Sequence, residues 1–119
     1  MYSDQVADHI ANPRNIGELD SPSGIGDVTN QVCMDRIRLT VKIAGSKVTD
    51  ARVKAHGCPP TIAAASCLSE MIIGRSVAEL ESFNRAHITE ALGRLPAAKA
   101  HCAALAIEAL RAALESSQR

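Results

Sequence analysis

Three cysteines stand far apart in this chain, and each has neighbours able to share its chemistry. Cys33 is followed by Met34 and Asp35. Cys58 follows Ala55-His56-Gly57 and precedes Pro59-Pro60. Cys102 follows His101 and lies three residues after Lys99. Thiolates are soft ligands that favour zinc and iron–sulfur clusters, while carboxylate oxygen is a harder donor and imidazole lies between. Three thiols, one carboxylate and one or two imidazoles therefore point to a thiolate-rich metal site. The competing reading of any cysteine is a small buried hydrophobe. That reading is preferred for Cys67, which sits mid-helix between Ser66 and Leu68. It is not preferred for Cys58, at the joint between a strand and a helix. A helix start offers free N–H groups and partial positive charge, and both favour a thiolate. Lys99 shares a helix face with Cys102, where it either holds a thiolate or faces solvent. His9 and His87 have no motif around them, and His56 is expected to face solvent.

The totals narrow the classes. The chain has 119 residues, 13 basic and 13 acidic, for a net charge of zero. That is one domain's worth of chain, read as a single unit over residues 1–119. Without a basic tract or aromatic-basic patch, nothing favours nucleic acid. No apolar run approaches the roughly 20 residues that span a bilayer. Met1-Tyr2-Ser3-Asp4 does not open a basic segment followed by an apolar one, so no signal peptide is expected and the protein is placed in the cytoplasm. Four cysteines there do not make a disulfide framework, and none forms a Cys-x-x-Cys pair. Any thiol cluster must be assembled by the fold.

Two strands are predicted to do that. Ile37, Leu39, Val41 and Ile43 alternate with Arg36, Arg38, Thr40 and Lys42. Ala51, Val53 and Ala55 alternate with Asp50, Arg52 and Lys54. Gly45-Ser46-Lys47 turns between them, giving a hairpin with one buried face. Both apolar sets face the same side only if Val41 pairs with Ala51, Leu39 with Val53, Ile37 with Ala55 and Lys42 with Asp50. Extended to the open end, this register sets Asp35 opposite Gly57 and Met34 opposite Cys58.

Helices follow. Ser3 caps a first helix carrying Val6, Ala7 and Ile10, ended by Asn12-Pro13. Residues 18–26 read as a loop and residues 27–32 as a weak strand. Pro59 opens a helix to Ile73 that is apolar nearly all round, hence central, with Gly74 beyond it. Ser76-Val77-Ala78-Glu79 is a capping box for a short helix. Ile88–Leu92 suggests another. Pro96 opens the last helix, with Ala98, Cys102, Leu105, Ala109 and Ala113 toward one face and a fraying end at residues 115–119. The fold class is α+β, a small antiparallel sheet of about three strands packed against helices.

With these pieces in order, the chain resembles the IscU/NifU-N-terminal family of iron–sulfur cluster assembly scaffolds. The resemblance runs through Tyr2-Ser3, Asp8-His9 and Asn12-Pro13-Arg14-Asn15-Ile16-Gly17. It continues through Cys33-Met34-Asp35, Asp50-Ala51-Arg52, Gly57-Cys58 and Leu95-Pro96-Ala97-Ala98-Lys99-Ala100-His101-Cys102. It implies an IscU/NifU-N-like (SufE/NifU-type) fold. It also implies Cys33, Cys58 and Cys102 as cluster cysteines, with Asp35 and His101 as further ligand candidates and Lys99 beside them. The implied cargo is a transient [2Fe–2S] cluster, with iron, and with zinc in purified protein. The implied partners are a cysteine desulfurase of the IscS/NifS kind, recipient apo-proteins and ferredoxin. The resemblance leaves monomer and homodimer open. Four departures stand out. Met34 replaces a family Gly, and Pro59-Pro60 follow Cys58 where small flexible residues are usual. Cys67 falls where Ser is common. Ala97-Ala98 replace the Pro-Val of the segment that a dedicated Hsp70-type chaperone reads, which puts that partner in question.

The expected role is therefore a scaffold and not an enzyme. The alternative is a zinc-dependent sulfurtransferase that accepts persulfide sulfur from the desulfurase. That related branch carries an insertion before the last helices and lacks the His before the third cysteine, whereas this chain keeps His101. A zinc-stabilised interaction module is the third reading.

Overall fold

The computed structural model describes residues 2–118. Its elements are α1 (Asp4–Ala11), β1 (Gly24–Thr29), β2 (Arg36–Ala44), β3 (Lys47–His56), α2 (Pro59–Ile72), α3 (Val77–Leu80), α4 (Arg85–Ala91), a 3₁₀ turn (Ala97–Lys99) and α5 (Ala100–Ser117). The three strands form one antiparallel sheet in the order β1-β2-β3. Helices cover one face, with α5 on β1 and β2, α2 on β3, α1 against α2 and α4 against α5.

The hairpin has the register that the alternation requires. Ile37 pairs with Ala55, Leu39 with Val53, Val41 with Ala51 and Lys42 with Asp50. Ile43 then pairs with Val48, so Thr49 bulges out just before the turn. Ile37, Leu39, Val41, Ala51 and Val53 are fully buried under the helices. Each large aliphatic side chain buried in this way contributes about 1.5–3 kcal/mol. The outer edge of β3 is also covered, since Val53 N–H donates to Asn15 O at 2.8 Å and Gly17 N–H to Val53 O at 2.9 Å.

β1 begins earlier than the sequence suggests. Gly24 and Gly26 belong to it, and the strand ends at Thr29. The glycines have a packing reason. A Cβ on either would overlap the backbone of α5, at Ala113 O and Ala109 O respectively. Bare backbone at these two points lets α5 lie close on the sheet. Buried Leu105, Ala109 and Leu110 hold it there, and the first turn of α5 carries His101 and Cys102.

α2 is the central helix, with residues 63–69 all buried. Ser3 accepts from Val6 N–H as the cap of α1, and Ser76 accepts from Glu79 N–H as the cap of α3. The last helix departs from expectation at both ends. A 3₁₀ turn precedes the α-helix, Ala98 is exposed, and regular helix persists to Ser117. No helix among the described residues is long and apolar enough to cross a membrane.

Candidate metal centre

The open end of the hairpin brings two of the three segments together. The β2–β3 ladder closes at Arg36–His56, and Asp35 and Gly57 are the next residue on each strand. The carboxylate of Asp35 occupies the space beside Gly57 that a Cβ would fill. Gly57 has φ +137°, a conformation that L-residues rarely adopt. Both its missing side chain and its backbone angle are therefore used. The approach of Asp35 to this joint, expected from register alone, is what the fold delivers.

Cys33 and Met34 lie beyond the ladder, in a turn. The Asn30 side-chain oxygen accepts from Val32 N–H at 2.9 Å and Cys33 N–H at 3.2 Å, while Met34 N–H donates to Asn30 O at 2.7 Å. Met34 takes φ +60°. A non-glycine residue there is strained by the order of 1 kcal/mol. Met34 does not pair with Cys58. It points outward at 65 % exposure, and Val32 at 91 %.

α5 supplies the third side. His101 Nε2 lies 2.9 Å from Asp35 Oδ2. Cys102 Sγ is 3.7 Å from Cys58 Sγ and 3.6 Å from His101 Nε2. Two overlapping donor groups result, Cys33/Asp35/His101 and Asp35/Cys58/Cys102. Within each, one ligand atom per residue lies within 4.8 Å of the others. Asp35 belongs to both. All five residues singled out from the sequence thus meet in one place, and Lys99 lies half-buried as the residue before α5.

The two groups differ in exposure. Cys102 is fully buried, Asp35 nearly so and Cys58 partly, while Cys33 is open to solvent. The sulfur pair has a distance a metal can use. Two sulfurs on one tetrahedral metal with bonds of about 2.3 Å stand about 3.8 Å apart. Cys58 and Cys102 stand 3.7 Å apart.

Thr61 was not singled out from the sequence, because nothing marks a threonine in the first turn of an apolar helix. It is fully buried. Its hydroxyl oxygen lies 3.3 Å from Cys58 Sγ and 3.4 Å from Cys102 Sγ. Burial works against a thiolate at Cys58, but hydrogen bonds from Thr61 and Cys102 outweigh it, and the thiol sits below its ordinary pKa. Burial pushes Cys102 up to about 11, with the negative charges of Cys58 and Asp35 adding to it and Thr61 opposing. Cys58 is thus the first of the pair to ionise. The helix start contributes less than expected, because the first two residues of α2 are Pro59 and Pro60, which have no N–H.

The remaining cysteine and histidines lie outside the two donor groups. Cys67 is buried, its thiol 3.6 Å from Met71 Sδ, and burial raises it to about 11. His9 Nδ1 lies 2.8 Å from Ser66 Oγ in the core between α1 and α2. His87 Nδ1 accepts from Asn84 N–H in the capping box of α4 and stacks on Phe83. His56 faces out with Arg36, Arg38, Lys54 and Glu18 on the uncovered sheet face.

Comparison with known proteins identifies the family. The model of the NifU-like N terminal domain matches residues 1–119. The chain is 40 % identical over 114 residues to iron-sulfur cluster assembly scaffold protein IscU 1 of Archaeoglobus fulgidus, covering 96 % of this chain and 74 % of that protein. It is 40 % identical over 117 residues to the IscU scaffold protein of Azotobacter vinelandii, covering 95 % and 91 %. In fold it is similar to the N-terminal part of a nitrogen-fixing NifU-like protein from Brucella abortus, with TM-score 0.81, 18 % identity and coverage of 98 % and 93 %. With the family model spanning the whole chain and relatives of this identity over nearly all of it, the chain belongs to the NifU-like N-terminal domain family.

Proposed function

We propose that this chain, acting as one unit over residues 1–119, is a scaffold on which a [2Fe–2S] cluster is assembled and then given up to apo-proteins. The observation that carries this reading is the unequal donor set. A paired, enclosed dithiol (Cys58, Cys102) adjoins an open group (Cys33, Asp35, His101), and Asp35 belongs to both. A permanent site favours four firm thiolates. Three thiolates completed by oxygen or nitrogen bind more weakly, which suits cargo. The names of the relatives, scaffold proteins for cluster assembly, support the same role.

In this reading Cys33, Cys58 and Cys102 hold the cluster irons, with Asp35 and His101 competing for the last position. Ferrous iron first meets Cys58, the more readily ionised thiol of the pair, and the Asp35 oxygen. Sulfur arrives as a persulfide from a cysteine desulfurase. Its reduction to sulfide takes two electrons per sulfur from an external reductant. Cys33, being exposed, is the thiol that an incoming partner meets. Recipients are apo-proteins, ferredoxin among them. Four free cysteines fit the reducing cytoplasm.

The test is anaerobic reconstitution with ferrous iron, cysteine and a desulfurase, read by visible absorption, iron and acid-labile sulfide. We expect a [2Fe–2S] spectrum with two irons and two sulfides per cluster. Persulfide carried on a zinc-loaded chain, with no cluster formed, would instead establish the sulfurtransferase reading. Zinc binding alone decides nothing, because the same donors suit zinc.

A further inference from the structure

We propose that Thr61 is a positioning residue for the cargo, resting on the scaffold reading above. Its hydroxyl holds the sulfurs of Cys58 and Cys102 at a metal's spacing and donates its hydrogen to them once they are metal-bound thiolates.

The geometry starts at the helix. Thr61 is the third residue of α2, one turn after Cys58. A threonine inside a helix commonly turns its hydroxyl back to a carbonyl of the preceding turn. Here both hydrogen-bond partners of the hydroxyl are thiols, Cys58 Sγ at 3.3 Å and Cys102 Sγ at 3.4 Å. Those sulfurs belong to different elements, 44 residues apart in sequence. Thr61 therefore joins the start of α2 to the start of α5 at the point where the metal must sit. The side chain is fully buried, so water does not compete for either contact.

The neighbouring prolines shift the work of serving the Cys58 sulfur onto Thr61. A cysteine at a helix start is ordinarily served by the free N–H groups of the first turn. Pro59 and Pro60 fill the first two helical positions and bring none. The next N–H, that of Thr61, donates to Cys58 O at 2.9 Å. That N–H also favours the Cys58 thiolate, and the Thr61 hydroxyl adds a second donor from the same residue.

Its chemistry changes on loading. Without metal, thiol and hydroxyl hydrogens are shared among the three groups. When metal binds, each thiol that ligates releases its proton to solvent and acquires a metal–sulfur bond. The only hydrogen left between the two sulfurs is that of Thr61, which must then be the donor. Hydrogen bonds to cluster sulfurs stabilise the more negative, reduced state and so raise the reduction potential. They also fix ligand orientation, as partners of metal ligands generally do.

The experiment compares wild type with Thr61→Val, which keeps the shape and loses the hydroxyl, and Thr61→Ser, which keeps the hydroxyl. The first readout is cobalt(II) affinity by thiolate charge-transfer absorption, which needs no cluster. The second is the midpoint potential of the reconstituted cluster. Thr61→Val should weaken cobalt binding about tenfold, as expected for loss of a hydrogen bond to a charged group, and lower the potential. Thr61→Ser should match wild type in both. Equal affinity and potential in Thr61→Val, or a Thr61→Ser variant as impaired as it, would overturn the proposal. Should Thr61→Val not fold, Thr61→Ala carries the same expectations. If wild type binds cobalt but forms no cluster, the scaffold reading fails, and cobalt affinity alone still judges Thr61.

Discussion

Asp35 and Gly57 face each other across the open end of the hairpin, the carboxylate of one filling the space where the other has no side chain. His101 then meets that carboxylate at 2.9 Å. Glycine is required twice over, by φ +137° and by the overlap. Gly57→Ala should cost about 1–3 kcal/mol of stability and displace Asp35. Ferrous iron affinity should fall further than in a surface variant destabilised equally. Urea unfolding with parallel iron titration checks this, and unchanged iron affinity would separate Gly57 from the site.

The cysteines divide sharply. Cys33→Ser, Cys58→Ser and Cys102→Ser should each abolish a stable cluster, since each removes one of three thiolates. Cys67→Ser should keep it, losing only about 1–2 kcal/mol for a hydroxyl placed in apolar packing. Burial keeps the Cys67 thiol protonated, near 11, and its contact is Met71, far from the donor groups in kind. Cluster content after reconstitution of the four variants is the measurement. A Cys67→Ser variant without cluster, beside another single variant that kept it, would overturn the assignment.

His9 makes stability depend on pH. Burial, and then the Arg14 cation, hold its imidazole below the ordinary 6.5, against the opposing pull of Glu70 and Asp8. The unfolded chain therefore takes up a proton near 6.5 that the folded chain refuses until lower pH. The stability due to this difference is full above 6.5 and drains as pH falls through the folded value. Urea midpoints at pH 7.5 and 5.5 should drop more in wild type than in His9→Gln. Equal drops in the two proteins would contradict it.

The hairpin was legible because alternation leaves one register that buries both apolar sets, and that register carried Asp35 to Gly57. Thr61 was not legible. Its role depends on where α5 lies, and that follows from the bare backbone at Gly24 and Gly26, which in sequence reads as loop. Met34 was misplaced opposite Cys58 because strand alternation carries no information about the Asn30 turn, which takes the chain out of the ladder before Cys33. The last α-helix starts at Ala100, three to four residues later than Pro96 alone suggests. Proline at 96 does open helical backbone, but as a 3₁₀ turn at Ala97–Lys99 that becomes α-helical at Ala100.

That turn carries a prediction. A chaperone of the Hsp70 type that reads Leu-Pro-Pro-Val-Lys needs the segment extended, and consecutive prolines favour this. Ala97 and Ala98 are exposed and wound into the turn. A peptide spanning residues 95–99 should bind such a chaperone more weakly than its Ala97→Pro, Ala98→Val version by fluorescence anisotropy. Equal affinities would remove the argument.

On the proposed scaffold the cluster is cargo, held by a donor set that can let go. Asp35 is the hard, negatively charged member of that set, shared by both donor groups. It suits incoming ferrous iron better than a finished iron–sulfide core. The direct measurement is the rate of cluster transfer to an apo-ferredoxin, wild type against Asp35→Ala, at matched loading and with thermal stability recorded alongside. Wild type should transfer the intact cluster and Asp35→Ala should transfer it more slowly, despite its weaker initial iron binding. A wild-type cluster that never transfers, or an Asp35→Ala cluster that leaves as fast or faster, would contradict it.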